Sequence, residues 1–246
     1  MKYFGCQFQI EAKEQVINSL KLNDLVFLQG TALCGKSTLV SLLFSGIDSS
    51  RKIWPIVIHS SWIHLCGSFW KALSDALGLP DRVASESSGA LTNILREVND
   101  SGMTIVLVID DIDTFIKGAE SKFPDLCQFI LFLKREIRSI KVLATLANFH
   151  RVETLAKDLC FSAHHVVEMQ CWPNDRHFGL FVAYIAGAHG IKKYQVLHEH
   201  FLNALYCCTR GATGSVVQVI KVMAVSGVLA DGQVATPRNI SHLWRY

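Results

Sequence analysis

The sequence predicts an α/β domain built on a parallel sheet, followed by a smaller domain made of helices. Three observations predict it. Short apolar, β-branched runs alternate with stretches of helical periodicity as far as Cys171. Two of those runs end in residues suited to phosphate and metal: a glycine-rich loop follows residues 25–28, and an acidic pair follows residues 104–109. Beyond Cys171-Trp172-Pro173-Asn174-Asp175 every periodic stretch is helical. The expected division is an α/β domain over residues 1–171 and a helical lid over residues 172–246.

The elements follow in order. Residues 10–20 have helical spacing and stop at Asn23-Asp24, and residues 25–28 are the first strand. Next comes Gly30-Thr31-Ala32-Leu33-Cys34-Gly35-Lys36-Ser37-Thr38, a full G-x-x-x-x-G-K-S pattern, leading into a helical run over residues 37–44. Strand, loop and helix in that order give the pattern its meaning. Backbone N–H groups wrap a β-phosphate, and the helix N-terminus adds positive potential. Lys36 reaches the β- and γ-phosphates, and the Ser37 hydroxyl ligates Mg²⁺. The predicted cofactors are therefore ATP and Mg²⁺, with all nine residues from Gly30 to Thr38 at the nucleotide.

A second strand is expected over residues 53–58 and an amphipathic helix over residues 62–77, with Phe69, Trp70, Leu73 and Leu77 on one side and Gly78-Leu79-Pro80 as its stop. A polar loop (85–89) and a short helix (90–98) lead to residues 104–109, a run typical of a strand buried on both faces. It ends in Asp110-Asp111, the form of a Walker B motif. Asp110 would hold Mg²⁺ through water, and Asp111 takes the position of the base that orients the attacking water. That position is usually Glu. Aspartate has a shorter arm, so hydrolysis is expected to be slow. A helix over 123–137 carries Lys134, Arg135 and, just beyond, Arg138. The next strand, 141–146, offers Thr145 within it and Asn148 just past it as polar sensors of a γ-phosphate. A helical stretch (150–159) and a fifth strand (166–169) close the first domain. The lid is read as helices at 176–188, 197–207 and 214–225, with a last one near Ile240.

Composition narrows the function. The 246 residues are half hydrophobic, enough for one large core or two smaller ones. A net charge of +3 does not by itself announce nucleic acid. No run of eighteen apolar residues occurs, so no membrane is expected. The N-terminus does not read as a signal peptide, and the eight cysteines are scattered without a C-x-x-C pair. These features fit a cytoplasmic protein with reduced cysteines.

The strand order around the two motifs suits the additional-strand P-loop class, and further segments resemble one family within it. Residues 169–178 (Met-Gln-Cys-Trp-Pro-Asn-Asp-Arg-His-Phe) look like its L-x-x-W-x-x-D-x-x-F start of the lid. Residues 208–217 are similar to its S-x-G-x-I-G-R helix start, and the tail from Ala224 to Leu243 also matches. The chain thus resembles the AAA+ transposition regulators TniB and TnsC. The opening Tyr3-Phe4-Gly5-Cys6 is also similar to the start of origin-recognition and signalling ATPases. The resemblance implies a three-layer αβα AAA+ domain with a small all-helical lid. It implies a weak ATPase that assembles on double-stranded DNA as a ring or helical filament and recruits a transposase at a target. Some relatives work beside CRISPR effectors through a TniQ-like adaptor. DNA contacts are then expected from the segment after the second strand and from the 123–137 helix, with Ser60, Lys71, Lys134 and Arg135 as candidates. The alternative is a nucleotide-switch signalling or origin-recognition-like ATPase acting through protein partners.

The chain departs from that family at three places. Residues 159–165 lack the arginine that reaches a neighbouring subunit's γ-phosphate, the second-sensor Gly-Arg is Gly214-Ser215, and Asp111 replaces Glu. Arg151 and Arg210 are the nearest arginines. An arginine finger is worth several powers of ten in rate, so ATP is expected to act mainly as an assembly ligand.

Overall fold

The computed structural model describes residues 6–44, 52–80, 88–116, 122–147, 152–227, 229 and 233–243. Five strands form one sheet: β1 (Leu25–Gln29), β2 (Ile53–His59), β3 (Thr104–Asp110), β4 (Ile140–Leu146) and β5 (His165–Glu168). The order is β2-β3-β4-β1-β5 and every pair is parallel. All strands therefore point their C-terminal ends to one edge. Register places His59 opposite Asp110, and Gln29 opposite both Leu146 and Glu168.

The central strands β1, β3 and β4 are buried along nearly their whole length. Parallel strands need helical crossovers on both faces, and their continuous apolar runs follow from that double burial. On one face, Phe27, Ile58, Leu107 and Ala144 pack with residues of α4 (Phe69–Ala76), α5 (Ser88–Asp100) and α7 (Phe123–Glu136). The other helices before β5 are α1 (Gln7–Leu22), α2 (Lys36–Phe44), α3 (Ser60–Cys66), α6 (Asp113–Ile116) and α8 (Val152–Asp158).

The single helix expected over residues 62–77 is two helices, α3 and α4. Gly67 adopts φ 79° and its N–H bonds the Ile63 carbonyl, which ends α3. Ser68 then accepts a hydrogen bond from the Lys71 N–H at 3.1 Å and starts α4. The apolar face predicted for this stretch survives in α4, where Phe69, Ala72 and Leu73 are buried.

The chain divides into two compact units. One comprises residues 12–29 and 37–168 and contains the sheet; the other comprises residues 6–11, 30–36 and the described residues from Met169 onward. The second unit is helical: α9 (Arg176–Ala188), α10 (Lys193–Val196), α11 (Glu199–Thr209), α12 (Thr213–Val225) and α13 (Pro237–Leu243). Asp175 caps α9 by accepting from the His177 and Phe178 N–H groups. Trp172, Phe178, Phe181, Phe201, Val216 and Ile220 make its core. Trp172 stacks on Phe181 with ring centroids 4.4 Å apart. Trp172 is thus a core residue of the helical unit. Among the described residues no helix is long and apolar enough to cross a membrane.

Gly211 shows what the helical core demands of the backbone. Its φ is +70°, and a Cβ there would lie 2.1 Å from the Trp172 carbonyl oxygen. The two residues are also joined by the Trp172 N–H bond to the Gly211 carbonyl. Gly211→Ala is expected to cost at least about 2 kcal/mol, from an unfavourable φ plus a backbone collision. Urea denaturation checks this.

Candidate nucleotide site

The predicted nucleotide residues fall in both units. In the helical unit the chain leaves β1 at Gly30, where a Cβ would lie 2.5 Å from the Met169 carbonyl oxygen and 2.8 Å from Cys34 Sγ. Only glycine fits so close to another backbone. The loop then turns through Leu33 (φ 62°) and Gly35 (φ 109°). Lys36 is buried, and its ammonium donates to the carbonyls of Gly30 at 2.7 Å and Thr31 at 3.0 Å. Two of its three donors thus tie the loop together, and the charge stays at the N-terminus of α2. Ser37 and Thr38 follow in the first turn of α2, exposed, as are Thr31, Ala32 and Leu33. Burial pushes the Cys34 thiol above its usual pKa, with Lys36 opposing the shift. Cys34 therefore remains a neutral packing residue at neutral pH.

The outer side of this loop is held by groups no motif predicts. The Leu33 carbonyl accepts from the Gly214 N–H at 2.7 Å. The Cys34 carbonyl accepts from Thr213 Oγ1 at 2.9 Å and from Gln9 Nε2 at 3.4 Å. Thr213 Oγ1 also accepts from Gln9 Nε2 at 3.1 Å and from the Trp172 indole N–H at 3.2 Å. Gly214 packs tightly: a Cβ would sit 3.1 Å from Leu33 Cβ and 3.2 Å from its carbonyl oxygen, so Leu33 would have to give by a few tenths of an ångström. Trp172, Thr213 and Gly214 lie in the segments 169–178 and 208–217 that mark the lid in the sequence, but neither pattern assigns them to this loop.

In the α/β unit the acidic residues lie at the C-terminal edge of the sheet. Asp110 is buried at the end of β3, and both carboxylate oxygens are engaged. Oδ1 accepts from the Thr145 hydroxyl at 2.7 Å, and Oδ2 lies 3.1 Å from His59 Nδ1. Thr145 Oγ1 accepts in turn from the Asp111 N–H at 2.7 Å. The Thr145 proton is therefore committed to Asp110, so Thr145 orients the acid; the sequence expected it to reach for a γ-phosphate. Asp111 sits at φ 62° and its Oδ2 accepts from Thr114 Oγ1 at 2.8 Å. Asp113 accepts from the Ala147 N–H and joins β3 to β4 at the same edge. At the end of β1, Gln29 keeps a buried side-chain nitrogen without a hydrogen-bond partner among the described residues. An orphaned donor here fits an edge that takes a polar ligand.

Each part by itself has the chemistry its ligand needs. The loop has a tight glycine-dependent path with a lysine at a helix N-terminus, as a phosphate requires. Asp110 is an acid oriented by two neighbours, as a divalent cation requires. Thr145→Val should unpin Asp110, costing about 1–3 kcal/mol in stability and raising the Mg²⁺ needed for nucleotide binding, while Thr145→Ser restores both. Denaturant melts and Mg²⁺ titration of nucleotide affinity measure this.

The remaining predicted residues separate clearly. Asn148 and Arg151 lie outside the described residues. Ser60 is buried at the start of α3, with little surface left exposed. The Lys134 ammonium donates to the Cys160 carbonyl at 2.5 Å and lies 3.7 Å from the centre of the Phe161 ring, so its charge is used within the fold. Lys71 and Arg135 are exposed. Arg210 is exposed at the end of α11 in a left-handed conformation, φ 49°.

No protein-family model matches the chain. No curated protein matches it either. Among solved structures it is similar to a Walker-type ATPase of Pyrococcus abyssi, at 12% identity over 92% of this chain and 69% of that chain, with a TM-score of 0.62. It is similar to the Aeropyrum pernix ORC2 protein in its ADPNP-ADP complexes, at 10% identity over 95% of this chain and 66% of that chain, TM-score 0.64. It is also similar to the Aeropyrum pernix ORC1 protein in complex with DNA, at 14% identity over 98% and 65%, TM-score 0.58. The chain spans about two thirds of the length of each. At such identities the likeness shows the fold alone: the chain has the α/β architecture that these ATPase structures share.

Proposed function

We propose that the chain is an ATP-binding AAA+ protein that hydrolyses ATP slowly and acts on double-stranded DNA as an oligomer. The observation that carries this reading is the glycine-dependent loop with Lys36 at the start of α2, in a chain whose β3 ends in an oriented Asp110. Lys36 and the loop N–H groups would hold the phosphates, Ser37 would ligate Mg²⁺, and Asp110 would be the acid that faces the ion. Mg²⁺, when bound, neutralises charge on the phosphate oxygens. Asp111 is the remaining candidate for orienting water. Its carboxylate is short and already accepts from Thr114, which favours binding over turnover.

The DNA part rests on two supports. Similar solved structures include an ORC1 protein in complex with DNA and a Drosophila ORC bound to DNA. Lys71 and Arg135 are exposed cations in the segments from which contacts are expected. A weak basic patch repeated along an oligomer gains affinity by multivalency. The finer reading, a target selector that recruits a transposase through a TniQ-like adaptor, rests on the lid segments at residues 169–178 and 208–217. The origin-recognition-like alternative is favoured by the ORC and Cdc6 structures among the neighbours.

Steady-state hydrolysis tests the enzymatic part. Turnover is expected well below the ~10 s⁻¹ typical of enzymes, with Asp111→Ala changing nucleotide affinity little. Turnover at or above that rate, abolished by Asp111→Ala, would contradict the assembly-ligand reading.

A further inference from the structure

We propose that Thr213 is a positioning residue that fixes the orientation of the Cys34–Gly35 peptide and so presents the Gly35 N–H to a bound phosphate. The proposal rests on the nucleotide reading of the loop and adds to it a specific source of preorganisation.

The Cys34 carbonyl and the Gly35 N–H belong to one peptide unit. No peptide bond in the described chain is cis, and in a trans peptide the C=O and the following N–H point in opposite directions. The Cys34 carbonyl is engaged by Thr213 Oγ1 and Gln9 Nε2. The Gly35 N–H is thereby turned away from Thr213 and Gln9. Left alone this peptide would not stay put. Gly35 has φ 109°, in a region open to glycine, and glycine passes readily between backbone wells. A flip would aim the carbonyl, a second negative group, where a phosphate oxygen must sit.

Thr213 is fully used in preventing it. A hydroxyl has one donor and two acceptor positions. The donor goes to Cys34, and the acceptors take Gln9 Nε2 and the Trp172 indole N–H. The preceding peptide is pinned too, by the Gly214 N–H on the Leu33 carbonyl at 2.7 Å. Gln9 is buried, and Trp172 is anchored by its stack on Phe181. The hydroxyl therefore ties the loop to two side chains that cannot move freely. The same chain of bonds makes the Trp172 indole N–H a reporter of the loop.

The test uses the full chain, ATP or ADP with Mg²⁺, and ¹H–¹⁵N spectra in which Trp172→Phe assigns the Trp172 indole resonance. In the parent, nucleotide should shift that resonance. Thr213→Val, similar in shape but without the hydroxyl, should bind nucleotide at least about ten-fold more weakly, with its Trp172 resonance displaced beforehand and insensitive to nucleotide. Thr213→Ser should recover most of the affinity and the response. If Thr213→Val fails to fold, Gln9→Met removes one of the two donors on Cys34 and should weaken binding by a smaller factor. Unchanged affinity in a folded Thr213→Val, or in Gln9→Met should the valine variant not fold, overturns the proposal alone. A parent that binds neither nucleotide overturns the nucleotide reading, and this proposal with it.

Discussion

Lys36→Ala is expected to remove nucleotide binding and, with it, assembly on DNA. The ammonium does two jobs in the structure. It bonds the carbonyls of Gly30 and Thr31, holding the loop in its turn, and it places a positive charge at the start of α2. Alanine loses both. A hydrogen bond to a charged group is worth about 1.5–3 kcal/mol, and the loss of more than one makes binding at least about 100-fold weaker. Calorimetric titration with ATP and Mg²⁺ measures the first effect, and anisotropy of labelled duplex DNA the second. A variant that loses ATP yet keeps all assembly would mean that the loop serves structure rather than switching.

Trp172→Ala should have the largest effect on stability. The side chain is almost wholly buried, stacks on Phe181 and gives its indole proton to Thr213. Truncating a buried Trp to Ala costs about 3–5 kcal/mol. The helical unit contains both this core and the loop residues 30–36, so the loss should appear in nucleotide affinity as well as in urea midpoint. Trp172→Phe should recover much of the stability but not the bond to Thr213. Equal midpoints for Trp172→Ala and the parent would remove Trp172 from the core.

The sheet was legible because its strands are buried on both faces. Residues 104–109 carry a continuous apolar, β-branched run and residues 142–146 a mostly apolar one, and such runs have few other homes in a protein of this size. The loop was legible because its chemistry is local: nine consecutive residues contain the glycines, the lysine and the serine. Two kinds of feature were not. The break at Gly67-Ser68 was hidden by an apolar periodicity that runs across it, although the pair itself is a stop followed by a cap. The pairing of His59 with Asp110 depends on the register of β2 against β3, which nothing near either residue encodes. The bonds from Gln9 and Thr213 to the loop join residues far apart in the chain, so no spacing announces them. Ser60 and Lys134 show the converse. Both have the residue type that phosphates attract, and burial or an internal partner removes them.

Electron microscopy of the chain with duplex DNA decides whether nucleotide controls assembly on DNA. With a slowly hydrolysed ATP analogue and Mg²⁺ the account predicts regular rings or filaments on the duplex. These should disperse with ADP, with Lys36→Ala and at high salt, since contacts to the phosphate backbone weaken as salt rises. Assemblies of the same form without nucleotide, or a chain that stays monomeric on DNA with the analogue bound, would contradict it.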